Sequence, residues 1–267
     1  MPWLTNTQDY TRAPPRGTRI RKDGLARGII CATSGNIDSF SGQVIEKDAL
    51  YIAPRKLGEY LSGFNGSNYA TLPNNIKIES SNLTVAFNLY YLSSGANRTY
   101  VAQGGSGGGK GWNISSGASA NNLRFTLGGV ADYVIATAPF SNGNEYFVVV
   151  SVHDGVAAGW VNGIKVGSVA VGTMLTPAST STIIGAAHNG TSYVVPTASG
   201  TAIGMVRIWN RGLTDYEVEN YNKNQFQIFE PELVPVWRAA AGGVVIPVLQ
   251  QNMRGNFNQQ SGRFING

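Results

Sequence analysis

Cysteine, histidine and charge are all scarce in this chain of 267 residues. One cysteine, Cys31, excludes an intramolecular disulfide and gives no sign of an oxidising compartment. Two histidines, His153 and His188, are too few for most metal sites. Neither has a second His, Cys or carboxylate at helical ligand spacing, so no metal and no cofactor is expected. Charged residues make up only 13% of the chain, in keeping with many short strands joined by tight turns. No apolar run approaches the ~20 residues of a membrane-spanning helix. The first residues, MPWLTNTQDYTRAPPRGTR, lack the apolar core of a signal peptide, so the expectation is a protein made in a cytoplasm with no membrane partner.

Glycine, by contrast, is abundant at 34 residues, and Asn, Ser and Thr are common. That is the composition of many short strands joined by tight turns, an all-β sandwich or jelly roll. Leu83–Leu92 is a β-branched and aromatic run suited to a buried strand. Leu123–Leu127 alternates, with Arg124 and Thr126 facing out. Tyr133–Thr137 and Tyr146–Val152 read as further strands, the second apolar on both faces and therefore central. Asn162-Gly163 is a strong hairpin signal, because both residues tolerate positive φ. Thr182–Gly185 reads as a late strand before a loop, Ala186–Gly200. The expected count is nine to twelve strands. Five Asn-x-Ser/Thr triplets, at Asn65, Asn82, Asn97, Asn113 and Asn189, are read as by-products of composition rather than glycan acceptors.

Two letter patterns mislead. Gly104–Gly108 spells a nucleophile elbow around Ser106, but that elbow needs a strand–turn–helix context, and Trp112–Ser115 just beyond the loop reads as a strand. The same loop nearly spells a phosphate-binding loop, except that Gly111 stands where Ser or Thr would hold Mg²⁺. His153 beside Asp154 reads as a solvent-facing turn pair, and His188, in a long loop, as the better candidate for ligand contact.

The most legible element lies between Gly200 and Pro231. A strand over Ile203–Trp209 is broken by Asn210-Arg211-Gly212, and a helix then begins. Thr214 suits its N-cap, Glu217 completes a capping box, and Leu213 and Val218 occupy the positions of a hydrophobic staple. Asp215, Glu217 and Glu219 lie near the positive end of the helix dipole and Lys223 near the negative end.

This strand and helix, GMVRIWNRGLTDYEVENY, resemble the close of laminin-G-like domains of the concanavalin A-like superfamily. Gly63–Tyr69 is similar to that family's early F-D-G-x-x-Y element, and Leu83–Phe87 to its first long core strand. Glu145–Val150 resembles its central strand, and Trp160–Val166 its Y-V-D/N-G hairpin. The resemblance implies an all-β, concanavalin A-like (laminin-G-like) jelly roll over 45–231. One short helix comes near its end, with extended arms over 1–44 and 232–267. Asn224–Pro231 also resembles the N-P-W-Q-I-F exit of such domains in virion proteins of tailed bacteriophages.

Glucanase relatives carry acids as E-x-D-x-x-E on a strand, and retaining hydrolysis needs two carboxyl groups about 5 Å apart. Nothing here spells that motif, so the chain is expected not to be an enzyme. Calcium-binding relatives carry Ile-Asp-Glu where this chain has Ile203-Gly204-Met205, so no metal is expected on that ground either. Sugar binding in the superfamily uses an aromatic platform with amide hydrogen bonds, and Trp112, Asn113, His188, Asn189 and Tyr193 have suitable types in or beside loops. Trp160, whose family equivalent packs between sheets, is set aside.

Charge is unevenly placed. Residues 1–30 hold six basic and two acidic side chains, a net of +4, whereas 31–229 hold eleven of each. A basic arm of Arg12, Arg16, Arg19, Arg21 and Lys22 points to an acidic partner. Without interleaved aromatics nucleic acid is disfavoured. The C-terminal stretch carries Trp237 and Phe257 between polar segments, with Pro235 and Pro247 restricting it to edge or extended conformations. Together these lead to the expectation of a non-enzymatic structural protein of a phage virion, in the capsid or the tail. Its arms would contact other virion proteins in a homo-oligomer. The alternative is a carbohydrate-binding module for host-surface glycans.

Overall fold

The computed structural model describes residues 25–32, 35–38, 46–47, 50–72, 81–92, 96–106, 109–119, 121–177, 181–194, 197, 200–225, 233–239 and 245–251. In chain order the first nine strands are β1 Leu25–Ala32, β2 Gly35–Asp38, β3 Glu46–Lys47, β4 Tyr51–Arg55, β5 Gly58–Ser62, β6 Ala70–Leu72, β7 Leu83–Tyr91, β8 Thr99–Gly104 and β9 Gly111–Ser115. After them come β10 Leu123–Gly128, β11 Ala131–Ala136, β12 Asn144–His153, β13 Val156–Val161, β14 Ile164–Ala170, β15 Thr182–Ile184, β16 Ala187–His188, β17 Tyr193–Val194 and β18 Ala202–Trp209. Helix α1 spans Asp215–Lys223. Many of the strands beyond the expected nine to twelve have five residues or fewer, too short to show a period.

Two antiparallel sheets form the sandwich. Among the described residues a nine-stranded sheet runs β14-β13-β12-β7-β18-β1-β2, with β5 pairing β18 and β4 pairing β5. A seven-stranded sheet runs β11-β10-β9-β8-β15-β6-β3. The core between them arises from period-two alternation. On β7, Leu83, Val85, Phe87, Leu89 and Tyr91 enter the core, as do Val148, Val150 and Val152 on β12 and Leu123, Phe125 and Leu127 on β10. β12 is central, as its doubly apolar sequence predicts, lying between β7 and β13. Arg124 and Thr126 take the opposite face, where Arg124 donates to Ser115 Oγ and Asp132 and Thr126 donates to Asp132 Oδ1.

The Asn162-Gly163 turn joins β13 to β14 with φ of 52° and 80°, the doubly positive conformation that favours this pair. β18 bends between Gly204 and Arg207, where its register on β7 shifts and Met205 adopts φ 49°. Ile203 therefore pairs with Leu61 of β5, while Arg207 to Trp209 pair with β1. The nine-stranded sheet thus continues into Leu25–Ala32 and Gly35–Asp38, with β2 at its edge among the described residues.

The capping box of α1 is present as expected: Glu217 N–H donates to Thr214 Oγ1, and Thr214 N–H donates to Glu217 Oε2 at 3.0 Å. Leu213 and Val218 of the staple are both buried. The helix packs on the outer face of the nine-stranded sheet, with Tyr221 edge-on to Phe147 (5.2 Å) and to Trp209 (5.5 Å). Beneath it lies Arg207, wholly buried, which donates to the Met205 carbonyl. Burial holds its guanidinium below the ordinary arginine value, and Tyr221 opposes that shift. Thr84 and Ser151 clamp the corner before the helix, since the Leu213 N–H donates to both hydroxyls at 2.9 Å.

Residues 226–267 are a separate unit. Within it β19 (Leu233–Ala239) and β20 (Val245–Gln251) form an antiparallel ribbon, with Pro235 opposite Leu249 and Trp237 opposite Pro247. Each strand of a two-stranded ribbon has an unpaired edge, which is where proline is tolerated.

Candidate functional site

The site begins with an asparagine turn. In Gly63–Tyr69, Asn65 Oδ1 accepts from the N–H groups of Ser67 and Asn68, and Asn68 Oδ1 accepts from Asn65 N–H. Asn68 Nδ2 also donates to the Gly63 carbonyl at 2.9 Å. Asparagine side chains mimic backbone turns in this way, and the result is a fixed exit direction for Tyr69.

A second asparagine turn faces it. The stretch expected to be an open loop after β15 folds back as the β16–β17 hairpin, pairing Ala187 with Val194 and His188 with Tyr193. Asn189 Oδ1 accepts from Thr191 and Ser192 N–H at 3.0 and 2.8 Å, and Gly190 N–H donates to His188 Nδ1 at 3.1 Å. That bond leaves the proton of the neutral imidazole on Nε2. Beneath the hairpin, buried Ala187 joins Ala102, Ile183 and Ala186, with Tyr69 packed against the cluster.

The two turns bring three rings together. Tyr69 and Tyr193 stack with centroids 4.0 Å apart and planes inclined by 28°. His188 meets Tyr193 edge-on at 5.1 Å. Tyr193 is 38% exposed. The glycine-rich loop abuts this cluster. Gly105 bridges to His188, and a Cβ on Gly109 would run into the His188 carbonyl and the Asn189 backbone, so the approach requires glycine. The loop connects two strands and not a strand to a helix, so Ser106 has no nucleophile-elbow setting.

Of the five residues named for sugar contact, His188, Asn189 and Tyr193 come together, and two do not join them. Trp112 is a correction: its exposure is 0%, and it belongs to the core between the sheets. β9 is paired on both sides, by β8 and β10, so the loop-edge position its sequence implies is a covered one. Asn113, on the opposite face of β9, is also buried, and its Nδ2 donates to the Gly105 carbonyl. It holds the loop that touches His188 and does not itself face solvent. Tyr69 is the residue that the sequence reading missed, although it closes the Gly63–Tyr69 element.

The other polar candidates are spent locally. His153 Nε2 lies 3.3 Å from Asp154 Oδ2 in an exposed contact, the turn pair expected. The acids of α1 each have a basic partner: Asp215 with Lys165, Glu217 with Arg211 and Glu219 with Lys223. Burial pushes the Glu217 carboxyl up. Hydrogen bonds from Arg211 and Thr214, with the Arg211 charge, outweigh this and leave it below its ordinary value. Among the described residues no three of His, Cys, Asp and Glu lie close enough to hold a metal ion together. Arg12, Arg16, Arg19, Arg21, Lys22 and Phe257 lie outside the described residues, and Trp237 contributes its backbone to β19.

A laminin-G-type family model, described as the concanavalin A-like lectin/glucanases superfamily, matches residues 64–219. No curated protein matches the sequence. Among solved structures, domain 4 of an extracellular arabinanase from Geobacillus stearothermophilus, in complex with arabinotriose, superposes with a TM-score of 0.60 at 17% identity. That alignment covers 73% of this chain and 97% of the arabinanase domain. The binding domain of Paraclostridial Mosquitocidal Protein 1 gives 0.60 at 14% identity, covering 82% of this chain and 57% of its own. Botulinum neurotoxin type C, whose cell entry depends on two ganglioside molecules, gives 0.57 at 12%, covering 75% of this chain and 51% of the toxin chain. At these identities the likeness is one of fold.

Proposed function

Because the chain belongs to the concanavalin A-like lectin/glucanases superfamily, we propose that its jelly roll is a carbohydrate-binding module that takes a sugar ring at the Tyr69–Tyr193 stack. The observation that carries this is the ring pair itself, with Tyr193 of the β16–β17 hairpin stacked 4.0 Å from Tyr69 and His188 at its edge. Sugar rings present C–H faces that pack on aromatic rings, and their hydroxyls need hydrogen-bond partners at the rim. Here the tyrosine hydroxyls, the His188 Nε2–H and the Asn189 amide are of the right kinds. The two asparagine turns hold the rings in place before binding, which lowers the ordering cost. The arabinanase domain with its arabinotriose and the ganglioside-dependent neurotoxin lend support by analogy of fold. A glycan array probed with the full chain tests the reading. Binding to a defined set of glycans that disappears in Tyr193→Ala supports it, and an array without signal sinks it.

A second reading, a non-enzymatic structural component of a phage virion, rests on charge. A net of +4 over residues 1–30 adjoins a neutral body, as an arm docking on acidic neighbours would. The exit resemblance at Asn224–Pro231 adds to it, and the two roles are compatible, since a displayed module can also bind host glycans. Light scattering of the full chain tests the second reading: a defined oligomer supports virion assembly, and a monomer speaks against it.

A further inference from the structure

We propose that a polar pocket on the outer face of the nine-stranded sheet is a second binding site, for a single neutral sugar residue. The pocket encloses about 470 Å³ between the β4–β5 turn and the C-terminal end of α1. That volume falls within the roughly 300–1,000 Å³ of small-molecule sites. Glu145 of β12 lines it together with Lys56, Asn144, Asn162, Asn222 and Gln225.

Glu145 and Asn162 of this pocket are fixed by bonds that leave hydrogen-bonding capacity over. Glu145 Oε1 accepts from Lys56 N–H at 3.0 Å, and Oε2 accepts from Leu57 N–H at 2.8 Å and from the Tyr60 hydroxyl at 3.2 Å. A carboxylate offers about four acceptor positions, so three fixed donors leave room for a ligand hydroxyl. Asn162 Oδ1 accepts from Phe147 N–H at 2.8 Å, which sets the amide and leaves its NH₂ group as donor. Asn222 lies against Gly163, where a Cβ would come within 2.6 Å of Nδ2, so the turn glycine makes room for this amide.

An anchored acceptor beside the anchored Asn162 amide, with the Asn222 amide adjoining, suits the adjacent hydroxyls of a sugar. Lys56 and Glu145 offset each other in charge, which favours a neutral ligand over an anion. Phe147, the aromatic ring lining the pocket, is 1% exposed, so recognition would rest on hydrogen bonds and not on stacking. The site lies on the nine-stranded sheet, whereas the tyrosine stack adjoins β8 of the seven-stranded one, so the two would act independently.

Backbone-amide shift mapping by NMR of the full chain tests this, with L-arabinose, D-galactose and N-acetyl-D-glucosamine as probes. At least one probe should shift Gly143, Asn144, Asn162 and Gly163 in saturable fashion, and should do so equally in Tyr193→Ala. Asn222→Leu should weaken that response by about fivefold or more, the worth of one hydrogen bond near 1 kcal/mol. Gln225→Leu provides a second variant if the first unfolds. The proposal is overturned if none of the three sugars moves these amides, or if both variants titrate like the parent. Retention of the pocket response in Tyr193→Ala, alongside loss of array binding, distinguishes this site from the tyrosine stack.

Discussion

Helix α1 and the β16–β17 hairpin adjoin different sheets of the sandwich, and they are held in opposite ways. The helix directs Tyr221 inward, buried between Phe147 and Trp209, while Tyr216 stays on its exposed face, and Thr84 and Ser151 lock the corner before it. The hairpin has two-residue strands and is shaped by the Asn189 side chain bonded to turn backbone. It therefore leaves Tyr193 part-exposed. Where side chains close the structure, no aromatic ring beneath the helix is left for a ligand, and what remains is the polar pocket at its C-terminal end. Where turn chemistry does that work, a ring can stay at the surface, as Tyr193 does.

Substitutions can sharpen or break this contrast. The largest effect is expected from Trp209→Ala under α1, a fully buried ring whose loss costs about 3–5 kcal/mol by urea unfolding. A cost below about 1 kcal/mol would mean that the helix does not seal the sheet. Tyr193→Ala is expected to reverse the pattern, weakening glycan binding by about tenfold or more while the urea midpoint moves little. Thr214→Ala removes the N-cap of α1 and should cost about 1 kcal/mol. Because the folded Glu217 carboxyl titrates below its ordinary value, its contribution is present above the unfolded pKa of about 4.3 and fades as pH falls through the folded one. Glu217→Gln should therefore flatten the acid limb of a stability–pH curve, and an unchanged limb would remove Arg211–Glu217 from the account. The smallest effect belongs to the exposed His153–Asp154 pair, where Asp154→Asn should alter stability by no more than about 0.5 kcal/mol.

The features legible in the sequence were local. The capping box of Thr214 and Glu217, the Asn162-Gly163 turn and the alternation of β7 and β10 depend on residues a few positions apart, and each appears as expected. The jelly roll emerges from such signals in the right order. The features that were not legible depend on strands distant in sequence. Nothing near Trp112 announces that β8 and β10 flank its strand and put it in the core. Nothing near Tyr69 announces that Tyr193 will stack on it, because that contact is made by two separate asparagine turns. His188, Asn189 and Tyr193 share one hairpin, which is why they could be grouped from sequence while the ring that completes the site could not.

The most direct measurement is titration calorimetry of the strongest array glycan against the full chain and against Tyr69→Ala and Tyr193→Ala. The account predicts saturable binding in the parent and a loss of about tenfold or more in each variant, with the two losses failing to add because the rings act as one stack. Parent-like affinity in both variants would contradict it and would place sugar recognition elsewhere on the jelly roll.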